Sequence, residues 1–591
     1  MKKYLPLLIT IAPALFLYRM IVFGEIVTAG DDLARHPINE WRDKYISDNE
    51  NMPQWYPNLF SGMPSYGGYI YMTGDPTKKF RNIILFNLGL KIWFFLSLGG
   101  FGTFFLLKVL GYSGLARVLG GLITGLTPYS FGLVNAGHLN KILAMGYAPW
   151  VFACFLLFMK NKSLKSLCVL SLVTALQLWA NHPQIVYYTW MVIGFYYVWN
   201  IIIEYKNQSL SSKTIAYQTG GIFVSLLVAF LIVLDPYKEV YTFQQHSNRG
   251  AKSVLDKTNE ASKRTKWQYA TQWSFHPKEL ISFVYPYFYG LQNFSSRDLK
   301  SAAYWGYMPF TQSTHYLGLI VLILASIGAL LKKPDKTSLF FWITSALILI
   351  TGFGSYFPLL YKPFFEGFPF FSKFRIPSMI YAMLPVTISI LAARGFDLLS
   401  AFKDEKQTFL KVLYVAGGVA TLSLILLIIS DSLIDFNSSR DGKYNLSIIK
   451  QLKSLRYDLF NKGMILALAL STSFLLLYYY YYKNKILESL FSYGIIGLVI
   501  LDLGVLNNEF LNVNPKKNMD KIFQKNSIIN HLVADTSYFR IFPADDISSN
   551  KYSYWNIESI GGYRPIKLGL YQDLMDAGGF NRSHILNMLN V

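Results

Sequence analysis

The sequence predicts a polytopic α-helical membrane protein carrying a small extracytoplasmic C-terminal α/β domain. Three observations predict it. Of 591 residues, 52% are hydrophobic and 15% charged, whereas soluble chains carry about 25% charged residues. Apolar runs recur at the length that crosses a bilayer, roughly 20 residues. Lysine and arginine collect in alternate short loops, the pattern that marks cytoplasmic loops.

At one crossing per ~20 apolar residues, the chain holds about 13 spans. They lie near 4–23, 91–109, 116–135, 142–160, 166–181, 185–204, 214–234, 315–331, 338–353, 378–394, 411–430, 462–482 and 487–506. One set of short loops carries Lys108 and Arg117, Lys160, Lys162 and Lys165, Lys332, Lys333 and Lys336, and Lys483 and Lys485. The alternate turns at 137–141 and 181–184 are nearly uncharged, so the basic set is expected to be cytoplasmic. The N-terminus then lies inside, as an uncleaved signal-anchor, and the C-terminal segment lies outside. The expected division is a membrane domain over 1–506, with large outer loops at 24–90, 235–314, 354–377 and 431–461, and an extracytoplasmic domain over 507–591.

The first outer loop opens with Asp31-Asp32 and continues into a pattern that places Ile38, Trp41, Tyr45 and Ile46 on one face. That spacing predicts a short interfacial helix over 37–49; a second is expected over 80–90. The fourth loop is polar and offers no motif. Beyond 507 the alternation in Tyr538-Phe539-Arg540-Ile541-Phe542 predicts a strand. The closing apolar stretch 585–591 reads as an interrupted end.

A net charge of +21 does not indicate nucleic acid here, because the basic residues are dispersed between apolar runs and not gathered in one patch. Membrane lipids are the expected partners of that charge. Cys154 and Cys168 both fall inside apolar runs and are expected to pack there. Phosphate-loop, dinucleotide, His-Glu-x-x-His and paired Cys-x-x-Cys motifs are missing. The short cytoplasmic loops leave no room for a nucleotide-using domain, so the expected substrate is lipid-borne or extracytoplasmic.

Candidate chemistry gathers at the outer ends of spans. Asp31, Asp32, Arg35 and His36 follow the first span; His138 and Lys141 follow the third; His182 and Gln184 follow the fifth; Lys373 and Arg375 precede the tenth. Ionisable residues beside membrane helices are costly and usually face a cavity or pathway. Each taken alone also reads as a solvated loop charge, a helix cap or an interfacial anchor. The aromatic clusters of the loops read as interface packing.

Further residues carry a resemblance. Asp31-Asp32-Leu33-Ala34-Arg35-His36-Pro37 and Met52-Pro53-Gln54-Trp55-Tyr56-Pro57-Asn58-Leu59-Phe60-Ser61-Gly62-Met63-Pro64 resemble the first outer loop of the YfhO-like bacterial membrane proteins. Gly137-His138-Leu139-Asn140-Lys141, Asn181-His182-Pro183-Gln184, Tyr304-Trp305-Gly306, Phe374-Arg375-Ile376-Pro377 and Gly561-Gly562-Tyr563 resemble further markers of that group. The group is similar to the GT-C class of glycosyltransferases. The resemblance implies a GT-C-like fold in a bacterial cytoplasmic membrane and a polyprenyl-phosphate-linked sugar as donor. It further implies an extracytoplasmic glycan or lipid as acceptor, and a catalytic acid just after the first span.

With that role, Asp32 or Asp31 is the base, Asp32 slightly favoured. Arg35, His36, His138, Lys141, His182, Gln184, Lys373 and Arg375 become substrate and phosphate ligands. A divalent cation stays open, because the two acids are adjacent and not spaced as Asp-x-Asp. Two other classes compete: a lipid-linked-oligosaccharide flippase or transporter, and a non-catalytic scaffold of envelope biogenesis.

Overall fold

The computed structural model describes residues 2–27, 30–65, 75–206, 211–255, 267–291, 299–311 and 313–591; for Lys2, Lys3, Asp32, Lys300, Ser301 and Asp520 the side chains lie outside that description. Eight helices among these residues are long and apolar enough to cross a membrane: Leu88–Val109, Leu139–Asn161, Pro183–Lys206, Ser212–Ile232, Pro377–Ala401, Lys406–Leu433, Leu446–Tyr482 and Glu488–Phe510. Four apolar helices are shorter: Tyr4–Phe16, Leu164–Trp179, Leu319–Leu331 and Lys336–Gly352. The chain is a helical, membrane-embedded protein.

The apolar runs become helices, but two of them break for local reasons. In the first, Pro6 and Pro13 each lack an N–H to donate, and the run divides into a 3-10 turn, Lys2–Leu7, and two short helices, Leu8–Phe16 and Tyr18–Val22. The run expected over 116–135 is two helices, Gly114–Gly125 and Pro128–Ala136, with Pro128 in the first turn of the second. Gly137, at φ 82°, ends that second helix in the left-handed conformation and turns the chain into Leu139–Asn161. His138 therefore sits at a tight corner between two helices.

Close packing rests on small residues, as expected where lipid offers no hydrophobic drive between helices. A Cβ on Gly395 would lie 1.9 Å from the Leu324 carbonyl oxygen, so the helices carrying Gly328 and Gly395 meet backbone to backbone.

The long loops contact one another on one side of the helices. The helix expected over 37–49 is longer, Gly30–Asn49, and takes in both acids. Its apolar face is not laid on lipid. Ile38 is buried with Tyr56, Leu59, Phe60 and Met63 of the same loop, and Trp41, Ile566, Leu568 and Tyr571 pack on that cluster. The segment beyond 510 thus shares a core with the first loop. It also has no sheet of its own. Its strand Val513–Asn514 pairs antiparallel with Ile26–Val27, and the strand expected at 538–542 is a single bridge from Ile541 to Ser559. Pro543 follows directly, and among the described residues no neighbouring extended run continues the ladder.

The fourth loop holds what its polar composition concealed. Arg456, 1% exposed, grips Asp441 with two hydrogen bonds of 2.7 and 2.8 Å. It also donates to the carbonyls of Phe436 at 2.9 Å and Ala303 at 3.2 Å, joining the fourth loop to the second. Removing one partner of a buried ion pair strands the other. Asp441→Asn is expected to destabilise the protein by about 3–5 kcal/mol, read as a lowered unfolding midpoint in detergent; Arg456→Met should cost less when added to Asp441→Asn than alone.

Candidate functional site

The site is built on the first turn of Gly30–Asn49. An acid there meets the positive end of the helix dipole, and the turn docks against the Gly137-His138 corner. His138 Nε2 donates to Asp31 Oδ2 at 2.9 Å. One turn on, Arg35 donates to the Gly137 carbonyl at 3.3 Å. From the other side, the Tyr563 hydroxyl donates to Asp31 Oδ1 at 3.3 Å, and Asn550 donates to the Ala34 carbonyl at 2.8 Å. Burial pushes the Asp31 carboxyl up, but His138, Tyr563 and Arg35 together outweigh it and hold the group below the ordinary aspartate range. Asp31 is thus an ionised carboxylate whose side chain is still 39% exposed.

The helix turn that follows His138 carries a buried lysine. Lys141, 6% exposed, donates to the Tyr129 hydroxyl, and its ammonium lies 4.8 Å from the centre of that ring. No carboxylate among the described residues pairs with it. Tyr129 stacks on His315 with centroids 4.8 Å apart. His182 and His315 are both pushed down to about 3, first by burial and then by the charge of Lys141, with His138 adding to the effect on His182. Both imidazoles are neutral, and His182 Nδ1 is buried with no hydrogen-bond partner among the described residues.

The third component comes from the loop before Pro377. Gln184 donates to the Arg375 carbonyl at 2.7 Å and to the Tyr188 hydroxyl at 2.9 Å. The Arg375 guanidinium donates to the Tyr269 hydroxyl at 2.6 Å and lies over the rings of Tyr269 and Trp273, at 4.9 and 5.6 Å. Ile376, a β-branched residue at φ 64°, is strained there, held by its N–H to the Ala270 carbonyl at 3.1 Å. Arg375 is within electrostatic reach of Tyr563. Lys373 ends the preceding 3-10 turn, its ammonium held below the ordinary lysine value by burial.

Asp31, Arg35, His138, Lys141, His182, Gln184 and Arg375 therefore gather on the loop side around the Gly137 and Asn181 turns. His36 points elsewhere, packing on Phe523 at 5.1 Å and Tyr554 at 5.8 Å. The Asp32 carboxylate lies outside the described side chains; the described carboxylate hydrogen bonds at this turn are those of Asp31. Among the described residues no group of three or more His, Cys, Asp or Glu comes together as a metal site.

Sequence reasoning missed Tyr563, Asn550, Tyr129 and His315, and read Tyr269 and Trp273 only as interface packing. His315 stands just before the helix Leu319–Leu331, the placement that singled out His138 and His182, and could have been found by the same rule. Tyr563 lay in a marker of the resemblance without a role attached to it.

No protein-family model matches the chain, and no curated protein does. Fold and site define a helical membrane protein with a polar, partly exposed carboxylate–imidazole pair and a buried lysine on the adjoining helix turn.

Histidines in an unfolded chain titrate near 6.5. With His182 and His315 held to about 3, the unfolded state binds more protons throughout that window, so stability rises with pH across it. The unfolding midpoint in detergent is expected to be full above neutrality and to fall as pH drops from about 6.5 toward 3. His182→Gln combined with His315→Gln should flatten that dependence.

Proposed function

We propose that the protein is an inverting glycosyltransferase that moves a sugar from a polyprenyl-phosphate donor to an extracytoplasmic glycan or lipid. The proposal includes membership of the YfhO-like group with a GT-C-like arrangement of about 13 crossings at ~20 residues each. It also places the chain in a bacterial cytoplasmic membrane with the loop side outward. The observation that carries it is the Asp31–His138 pair at 2.9 Å, with Arg35 within electrostatic reach of the carboxylate.

An ionised carboxylate can take the proton of an acceptor hydroxyl as general base. That oxygen attacks the anomeric carbon, and the bond from this carbon to the phosphate oxygen breaks on the opposite face. The electron pair leaves with the phosphate, the anomeric centre inverts, and the proton ends on Asp31. His138 orients the carboxylate and keeps it ionised. Lys141, with no carboxylate partner among the described residues, and Arg375, stacked on two rings, are suited to the growing charge of the phosphate. A guanidinium matches two phosphate oxygens at once. Gln184 fixes the backbone that presents Arg375. The described hydrogen bonds of Asp31 match the role of base.

The test is transfer of radiolabelled sugar from a polyprenyl-phosphate donor by purified variants. Asp31→Asn is expected to lower the rate at least about a hundredfold, the scale of general-base catalysis. Arg375→Lys should raise the donor KM. Transfer at the parental rate by both Asp31→Asn and Asp32→Asn would remove the assignment.

A further inference from the structure

The Tyr563 hydroxyl touches Asp31 on the oxygen that His138 leaves free. The contact, at 3.3 Å, is long for an O–H···O bond, which ordinarily measures about 2.7–2.8 Å. It is a weak bond to a strong acceptor. The other carboxylate oxygen is held more closely, at 2.9 Å by His138.

The backbone that carries Tyr563 is fixed. Its N–H donates to Asn550 Oδ1 at 2.6 Å, and its carbonyl accepts from Asn550 Nδ2 at 3.0 Å. Gly562 stands at φ 143°, where a Cβ would meet Leu59 at 2.8 Å; one on Gly561 would meet the Ile547 carbonyl oxygen at 2.2 Å. No other residue type fits this turn without a shift. The ring beyond it is not so confined: Tyr563 is 46% exposed. A rigid pivot thus carries a partly solvated phenol, which touches the carboxylate and lies within electrostatic reach of Arg375.

We propose that the Tyr563 hydroxyl stands where an acceptor hydroxyl binds to Asp31, so that a sugar or polyol enters by displacing the phenol. Tyr563 is then a positioning residue contributed by the C-terminal segment: it holds Asp31 oriented and selects ligands that return the hydrogen bond they replace. An apolar ligand at the same place leaves a charged oxygen unpaired, which is costly. The inference rests on the glycosyl-transfer reading for the identity of the reaction, but not for the binding step itself. No covalent change at Tyr563 is involved.

The experiment is water-soluble carbodiimide labelling of Asp31 in the full chain, localised by tandem mass spectrometry, with methyl α-D-glucopyranoside as the probe ligand. Tyr563→Phe keeps the ring and removes the hydroxyl; Tyr563→Leu removes both. Both variants are expected to label faster at Asp31 by about fivefold, the scale of one lost hydrogen bond. The sugar should protect Asp31 in the parent and, at a severalfold lower concentration, in both variants. A merely structural role for the ring would separate Phe from Leu; a role for the hydroxyl makes them alike. Labelling at the parental rate in Tyr563→Phe overturns the proposal, as does protection at an unchanged concentration or no protection in any variant. Should labelling and protection behave as expected while both Asp31→Asn and Asp32→Asn still transfer sugar normally, the hydroxyl site stands and the glycosyl-transfer reading falls.

Discussion

The hydrogen bond between His138 and Asp31 joins groups 107 residues apart, one at the first turn of a loop helix and the other at a corner between two apolar helices. Arg35 adds a second tie to the same corner through the Gly137 carbonyl. Asn550 and Tyr563 hold the same turn from the C-terminal side. The loop helix has no span of its own to fix it, so its orientation depends on these polar ties and on the small apolar cluster around Ile38 and Tyr56. The site exists because the two sets of ties agree.

The same logic governs the polar groups among the apolar helices. In lipid every backbone donor and acceptor needs an internal partner, and helix ends are where partners run short. Asp502 accepts from the Ile320 N–H at 2.8 Å and from the Tyr316 hydroxyl, capping the start of Leu319–Leu331. Arg394 donates to Gly328 and Lys333 carbonyls, at 3.0 and 2.9 Å, closing the other end of that helix. Asn507 reaches the Leu126 carbonyl at 2.9 Å, where Gly114–Gly125 stops. These residues are buried and polar for a structural reason. Lys141 differs: its partner is a phenol, its neighbours are two neutral imidazoles, and it caps no helix end. That contrast makes it a binding candidate and the other three structural caps.

Legibility in the sequence followed the range of the physics involved. Helix placement was readable because apolar length is a local property, whereas the breaks at Pro13 and Thr127-Pro128, equally local, fall within runs that read as continuous spans. His138 and His182 were readable because a histidine at the end of an apolar run is conspicuous. His315 was absorbed into the run at 315–331 and lost its signal, although the helix begins only at Leu319. The strand expected at 538–542 failed because a strand requires a partner, and alternation alone does not supply one. His36 was grouped with Arg35 by adjacency, yet neighbours on a helix face different directions, and His36 turned toward Phe523 and Tyr554.

By itself the sequence determined that the chain is helical and membrane-embedded, and that His138 and His182 stand at helix ends. Those follow from composition and spacing, which act over a few turns. The tertiary structure alone decided that Asp31 carries the described hydrogen bonds, that Tyr563 from the C-terminal segment closes on it, and that Arg456 and Asp441 bind two loops together. Each of these depends on side chains brought together across more than a dozen residues of chain, and in the case of Asp31 and Tyr563 across 532. Long-range hydrogen bonds leave no periodic trace in a sequence, because what selects them is the geometry of the folded helices that deliver their two ends.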